Sequence, residues 1–276
     1  MSSKNVYFIK TITNLHVGSG DTTYGVIDNM VQRDCVTNYP IINSSSLKGA
    51  LRAFFECTGS KDDVVKIFGK DSNTNLENDA LGGKGKMAFF DAKILFRPVR
   101  SNKRPYVLVT CPQALSDFFE YLEISGIKED EKEGLKQLKQ LTKNYKKVED
   151  EKFENISSIK LQEIDLQSHS INIFNDILKG EELKIYITTN EEFKNLELPV
   201  IARNQLENGE SKNLWYEEVV PRKSIFYFMT NCEDTELDKK FEGAINEKLV
   251  QIGGNATIGY GFCNIDIIKS NEGNNE

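Results

Sequence analysis

Runs of alternating and stepped apolar positions predict strands and helices interleaved along the chain. Val6 to Ile12 alternates as a strand, and Met87–Phe96 and Tyr106–Val109 read as two more. Leu47, Ala50, Leu51, Phe54 and Phe55 fall at helical spacing behind Ser45 or Ser46 as cap. Leu115, Phe118, Phe119 and Leu122 form a second helical stripe, opened by Pro112. Residues 127–154 are heavily charged, yet Leu135, Leu138, Leu141 and Tyr145 keep one apolar seam, which predicts an exposed helix. Ile159–Leu166 and Leu183–Thr189 read as strands around a short amphipathic segment. Leu198–Leu206 and Leu214–Val220 flank Glu207-Asn208-Gly209-Glu210, whose turn chemistry predicts a hairpin tip. Ser224–Thr230 is extended, Leu237, Phe241, Ile245 and Leu249 step by four along a helix, and Phe262–Ile268 closes as a strand after Gly253-Gly254. Interleaved strands and helices with hairpins predict an α+β fold.

Composition narrows the function classes. The 276 residues hold 35 Lys+Arg and 42 Asp+Glu, a net charge of −7. Such a balance opposes indiscriminate adhesion to nucleic acid or anionic membrane. The charge is uneven: residues 1–110 carry 15 basic against 10 acidic side chains, and residues 111–276 carry 20 against 32. Arg97, Arg100, Lys103 and Arg104 are the densest basic run, read either as a solvated loop or as a phosphate-contacting surface. No run approaches the ~18 apolar residues of a membrane span, so no membrane partner is expected. The first residues lack the apolar core of a secretion signal. Cys35, Cys57, Cys111, Cys232 and Cys263 are odd in number and widely spaced, which suits reduced thiols in a cytoplasm better than disulfides or zinc.

Common catalytic signatures are missing from the sequence: there is no phosphate-binding P-loop, no H-E-x-x-H and no G-x-S-x-G, and the only histidines are His16 and His169. Attention falls on His16–Arg52, a long polar stretch feeding a helix. Its start offers Ser44, Ser45 and Ser46 to an anion, and Lys48 and Arg52, four apart, share one helix face. Gly253-Gly254 and Gly259-Tyr260-Gly261 read either as turns or as bare amides that approach phosphate. Asp28, after Gly25-Val26-Ile27, is either a turn-forming residue or a carboxylate held rigidly on a loop.

This window resembles the N-terminal signature of the RAMP superfamily of CRISPR proteins, and in particular the backbone subunit of the type III-B (Cmr) effector complex. The resemblance rests on His16, Gly18, Gly20, Ile27, Asp28, Gln32, Arg33, Pro40 and Ser45-Ser46-Leu47-Lys48-Gly49 with Arg52. Leu214-Trp215-Tyr216-Glu217-Glu218-Val219-Val220-Pro221 is similar to the family's acidic segment, and Gly253 to Gly261 to its glycine-rich loop. Asn43 departs from the pattern, standing where a glycine often precedes the serines.

The resemblance implies one RAMP domain: a ferredoxin-like palm over about 1–110 and 157–268, a helical insertion over about 111–156, a thumb hairpin over about 198–221 and a disordered tail over about 269–276. It implies a guide-RNA-binding subunit that cleaves complementary target RNA at regular intervals with a divalent metal, Mg or Mn. Asp28 is then the essential carboxylate and metal ligand, with His16, Glu217 and Glu218 as further catalytic candidates. Ser44, Ser45, Ser46, Lys48, Gly49, Arg52, Arg203, Gly253, Gly254, Gly259, Tyr260 and Gly261 are the implied RNA contacts. The implied partners are the guide RNA, the target RNA, stacked copies of the chain, the large polymerase-like subunit, the small helical subunit and other RAMP subunits. A non-catalytic scaffold and the equivalent type III-A subunit remain the alternatives.

Overall fold

The computed structural model describes residues 2–20, 25–70, 83–100, 105–127, 135, 136, 138, 139, 168–170 and 184–268. Strands β1 (Ser3–Thr11), β2 (Ile41–Ile42), β3 (Met87–Phe89), β4 (Ala92–Val99), β5 (Val107–Thr110), β6 (Ser168–Ser170), β7 (Lys184–Ile187), β10 (Ile225–Cys232), β11 (Lys248–Gln251) and β12 (Phe262–Ile268) form one ten-stranded sheet. Its main path is β11-β12-β1-β10-β4-β5-β7-β6, with β2 on β4 and β3 on β10. Among the described residues, all pairs in this sheet are antiparallel except β5 with β7. Helices α1 (Ser44–Thr58), α2 (Lys61–Phe68), α3 (Pro112–Ser125), α4 (Asn190–Asn195) and α5 (Thr235–Ile245) pack around it. In chain order β1, α1, β4, β10, α5 and β12 make a β-α-β-β-α-β unit whose strands lie in the order β12-β1-β10-β4, the ferredoxin-like arrangement.

The sheet is buried on both faces. Along β1, Tyr7 and Ile9 join Leu47, Leu51 and Phe55 of α1 and Leu237, Phe241 and Ile245 of α5 in one core. Val6 and Phe8 point the other way, to Leu115, Phe118 and Leu122 of α3. Period-two alternation thus divides two hydrophobic layers, each side chain contributing ~1.5–3 kcal/mol when fully buried. Leu135 and Leu138 are helical and buried in the second layer, as the apolar seam predicts. Leu141, Tyr145, Ile159–Leu166 and residues 269–276 lie outside the described residues.

Three expectations need correction. The α1 cap is Asn43, not Ser45 or Ser46, and it makes no side-chain capping bond. The Ser44 amide is bound instead by the Asp91 carboxylate at 2.6 Å. An acid from another element thus meets the positive end of the helix. The expected strand Met87–Phe96 is also divided: β3 ends at Phe89, Phe90 and Asp91 interrupt it, and the chain resumes along β10 as β4, one residue out of register. Leu249 does not continue α5. The helix ends at Ile245, Glu247 takes a positive φ of 58°, and Leu249 lies in β11.

Strands β8 (Val200–Glu207) and β9 (Glu210–Glu218) form a separate two-stranded sheet, mostly exposed. The two-residue loop Asn208-Gly209 has both φ positive, 53° and 85°, the twist that closes tight hairpins.

Candidate functional site

The stretch after β1 runs beside the base of this hairpin. Leu15 exchanges backbone hydrogen bonds with Val220, and the Gln32 amide donates to the Val17 carbonyl at 2.9 Å. Asn29 then lies parallel to Glu217 and acts as an extra strand on the free edge of β9: its amide donates to the Tyr216 carbonyl at 3.1 Å, and the Glu218 amide donates to its carbonyl at 2.8 Å. Gln32 ties the loop to α1, donating to Gly18 O and Ser46 Oγ and accepting from the Asn43 amide.

Asp28 sits at this seam and is exposed. Its backbone amide donates to the Tyr216 carbonyl at 3.0 Å, and its Oδ2 accepts the Tyr216 amide at 2.7 Å. Both contacts go to a strand 188 residues away, so Asp28 is a loop carboxylate clamped to the hairpin rather than a local turn former.

Glu217 and Glu218 are buried at 3% and 4% relative exposure and face opposite sides of β9. Glu217 Oε2 accepts Arg203 Nη1 at 3.2 Å, and its Oε1 accepts Asn255 Nδ2 at 2.6 Å. His16 Nε2 is 3.8 Å from Glu217 Oε1. Glu218 Oε1 accepts Arg33 Nη2 at 2.5 Å, and its Oε2 accepts the Val31 amide at 3.1 Å. Buried carboxylates need such partners, because an unpaired charge in the interior is very costly. Both are therefore held at the thumb base by donors of this chain. His16 is buried as well; its Nδ1 lies 2.8 Å from the Glu218 carbonyl, so Nδ1 carries the proton and donates.

Arg203 sits directly across from Trp215 in the hairpin register, and its guanidinium is 5.7 Å from the Trp215 and Tyr260 ring centres. It links the hairpin to the glycine-rich loop. That loop spends its amides internally: Gly254 donates to His16 O, Gly259 to Ala256 O, Tyr260 to Asn255 O and Gly261 to Asn14 O. For these four positions the expectation of bare amides open to phosphate is corrected. Two of the glycines, Gly253 and Gly261, serve close packing. Gly253 has a φ of 82°, and a Cβ there would overlap the His16 carbonyl.

At α1, Ser44, Ser46 and Lys48 are half-buried, and Ser45 and Gly49 are exposed. Arg52 pairs with Glu56 at 2.8 Å and donates to Gly69 O at 2.9 Å, holding α1 to the end of α2. Arg97 does not belong to a surface run. It is 4% exposed, donates to the carbonyls of Phe193 and Glu197, and has its pKa pushed down to about 10 by burial, with Arg33 adding to the effect and Glu218 opposing it. Lys103 and Arg104 lie outside the described residues.

Sequence reasoning singled out the acids and missed how they are held. Arg33 and Asn255 stand in the matching motifs, yet their task as partners of Glu218 and Glu217 is set by tertiary contact. The available signal was two adjacent glutamates entering an apolar Val219-Val220 run, which requires compensating donors.

Among the described residues no three His, Cys, Asp or Glu side chains gather as a metal site. With both glutamates paired to donors of the chain, Asp28 offers an exposed oxygen donor at the seam. That donor set fits a hard cation of the Mg class, which is commonly held by one or two carboxylates together with phosphate oxygens and water.

A clamped loop, a projecting hairpin and a ferredoxin-like sheet define the class: the chain belongs to the RAMP superfamily, whose family model matches residues 8–264. Within it, the chain is 33% identical to the CRISPR system Cmr endoribonuclease Cmr4 of Pyrococcus furiosus over 284 aligned positions, covering 93% of each chain. It is also similar to a chain in the type III-B Cmr-beta complex bound to cognate target RNA, at 25% identity and a TM-score of 0.66, covering 96% of both. Oligomeric Cmr4 from Pyrococcus furiosus matches at 25% identity and a TM-score of 0.63, covering 96% of this chain and 98% of that one. The resemblance to the Cmr backbone subunit, read from motifs, is borne out.

Proposed function

We propose that the chain is a guide-RNA-binding backbone subunit of a type III-B CRISPR effector complex, and that it cleaves complementary target RNA at regular intervals. Its relative from Pyrococcus furiosus is named an endoribonuclease, and a similar chain belongs to a complex bound to target RNA. The observation that carries the reading is the clamping of Asp28 to the Tyr216 backbone at the root of the hairpin. A hairpin inserted between paired strands displaces a nucleotide, and the displaced backbone becomes free to reach an in-line geometry that a regular duplex forbids. Asp28 accepts the proton of the 2′-hydroxyl. The oxygen attacks the adjacent phosphorus, the bond to the 5′-oxygen breaks, and that oxygen takes a proton from solvent. The products are a 2′,3′-cyclic phosphate and a 5′-hydroxyl. A divalent cation, Mg or Mn, would be held by Asp28 with phosphate oxygens and would neutralise charge at the phosphate. His16 orients the loop from its buried position.

RNA is gripped through phosphates and 2′-hydroxyls, with Lys48 and the Ser44–Ser46 hydroxyls as contacts, since base pairing with the guide supplies the sequence specificity. Copies of the chain, the large and small subunits and other RAMP subunits complete the assembly. In the assembled complex, Asp28→Ala is expected to abolish target cleavage while guide RNA stays bound. Wild-type cleavage by that variant would overturn the catalytic assignment in favour of a scaffold.

A further inference from the structure

We infer that Glu218 is a positioning residue for Asp28: it fixes the catalytic loop to the hairpin and does not itself touch RNA. The inference rests on the reading of Asp28 as the reacting carboxylate. Three interactions of Glu218 converge on residues 29–33. Its amide donates to the Asn29 carbonyl at 2.8 Å, its Oε2 accepts the Val31 amide at 3.1 Å, and its Oε1 pairs with Arg33 at 2.5 Å. Its own carbonyl takes the His16 Nδ1 proton at 2.8 Å. The same residue therefore holds both arms of the loop, the His16 end and the Asn29–Arg33 end, on either side of Asp28.

Asp28 itself is tied to the Tyr216 backbone, two residues up the same strand. Bonds to a strand edge fix where the loop lies but leave it able to slip along that edge, because successive amides and carbonyls repeat. A buried side chain with two specific donors removes that freedom. At 4% relative exposure Glu218 cannot reach a phosphate without unpairing Arg33. Its two Oε partners are a backbone amide and a guanidinium, which fits a register pin and leaves no role as acid or base.

The test uses the assembled complex with guide RNA, comparing Glu218→Ala, Glu218→Gln and Asp28→Ala. Each is measured for the single-turnover cleavage rate at saturating target and for target affinity. Glutamine keeps one acceptor for the Val31 and Arg33 donors, and alanine keeps none. The expected order of rates is wild type, then Gln, then Ala, with the Ala variant slower by about a hundredfold, the scale of a misplacement of about 1 Å. Guide retention and target affinity are expected to stay within about twofold, far inside one tenfold step of affinity. Hydrogen exchange of the Val31 amide is expected to quicken in the same order. An Ala variant that cleaves at the wild-type rate overturns the inference, as does a fall in rate matched by an equal fall in target affinity. If the Ala variant fails to assemble, a Gln variant at the wild-type rate overturns it. Active Asp28→Ala would instead sink the function proposed above, whereas inert Asp28→Ala beside fully active Glu218→Ala sinks only this inference.

Discussion

Glu217 and Glu218 are neighbours in the sequence and strangers in the fold, each turned to its own arginine on its own side of β9. Strand alternation made the division readable, since adjacent residues must face opposite ways. The identity of the partners was not readable, because Arg33 and Asn255 arrive from segments far away in the chain. Asp28 was singled out by its motif, but the motif said nothing of the Tyr216 backbone that holds it. Gly253 shows the same division. Its turn-forming character was plain, and its cause is the His16 carbonyl pressed against it. Gly253→Ala therefore meets both a left-handed φ and a direct overlap. Strain of ~1–3 kcal/mol is expected from the backbone alone. Thermal unfolding should show it as a lowered Tm, with His16 and the loop it orients displaced.

The elements were legible where period and punctuation agreed. Pro112 opens α3, and the Asn-Gly turn closes the hairpin. They were misread where a tertiary partner overrode the local signal, as with Asp91 capping α1 and the chain reversal before Leu249. Helix α5 carries a feature that periodicity alone conceals. Its Asp238 is buried against β1, accepting Ser3 Oγ at 2.5 Å and Asn5 Nδ2 at 2.8 Å through Oδ2, while Oδ1 has no hydrogen-bond partner among the described residues. Burial raises its pKa above 3.8, with the charge of Glu242 reinforcing the shift and the two hydrogen bonds opposing it. A carboxyl whose folded pKa is raised contributes stability below its unfolded pKa and loses it as pH rises through the folded value. Asparagine mimics the neutral carboxyl. The Tm advantage of Asp238→Asn over wild type is expected to grow as pH rises from about 4 towards 7, the range above an ordinary carboxylate pKa. A constant difference across that range would contradict the assignment.

For the whole molecule, the net charge of −7 first argued against nucleic acid, and its uneven spread then left room for an RNA surface. The fold sharpens that picture. Arg33, Arg52, Lys86 and Lys93 from the basic-leaning first 110 residues are engaged with Glu218, Glu56, Asp234 and Asp117. Part of the local positive charge is therefore paired within the protein, and less of it is open to a ligand than the count suggests. A free subunit should bind RNA weakly, with affinity gained as successive copies line one guide. The α+β class and the superfamily were both legible in sequence, because motif and hydrophobic pattern span nearly the whole chain. The three-layer packing and the hairpin root were not, since they depend on which strands pair across the sheet. The central claim is most directly tested by purifying the protein with the subunits encoded beside it, sequencing the bound RNA, and incubating the complex with a complementary target. The account predicts a repeat-derived guide and target fragments separated by a constant interval, each ending in a 2′,3′-cyclic phosphate. Absence of bound RNA, or cleavage at irregular positions unrelated to the guide, would contradict it.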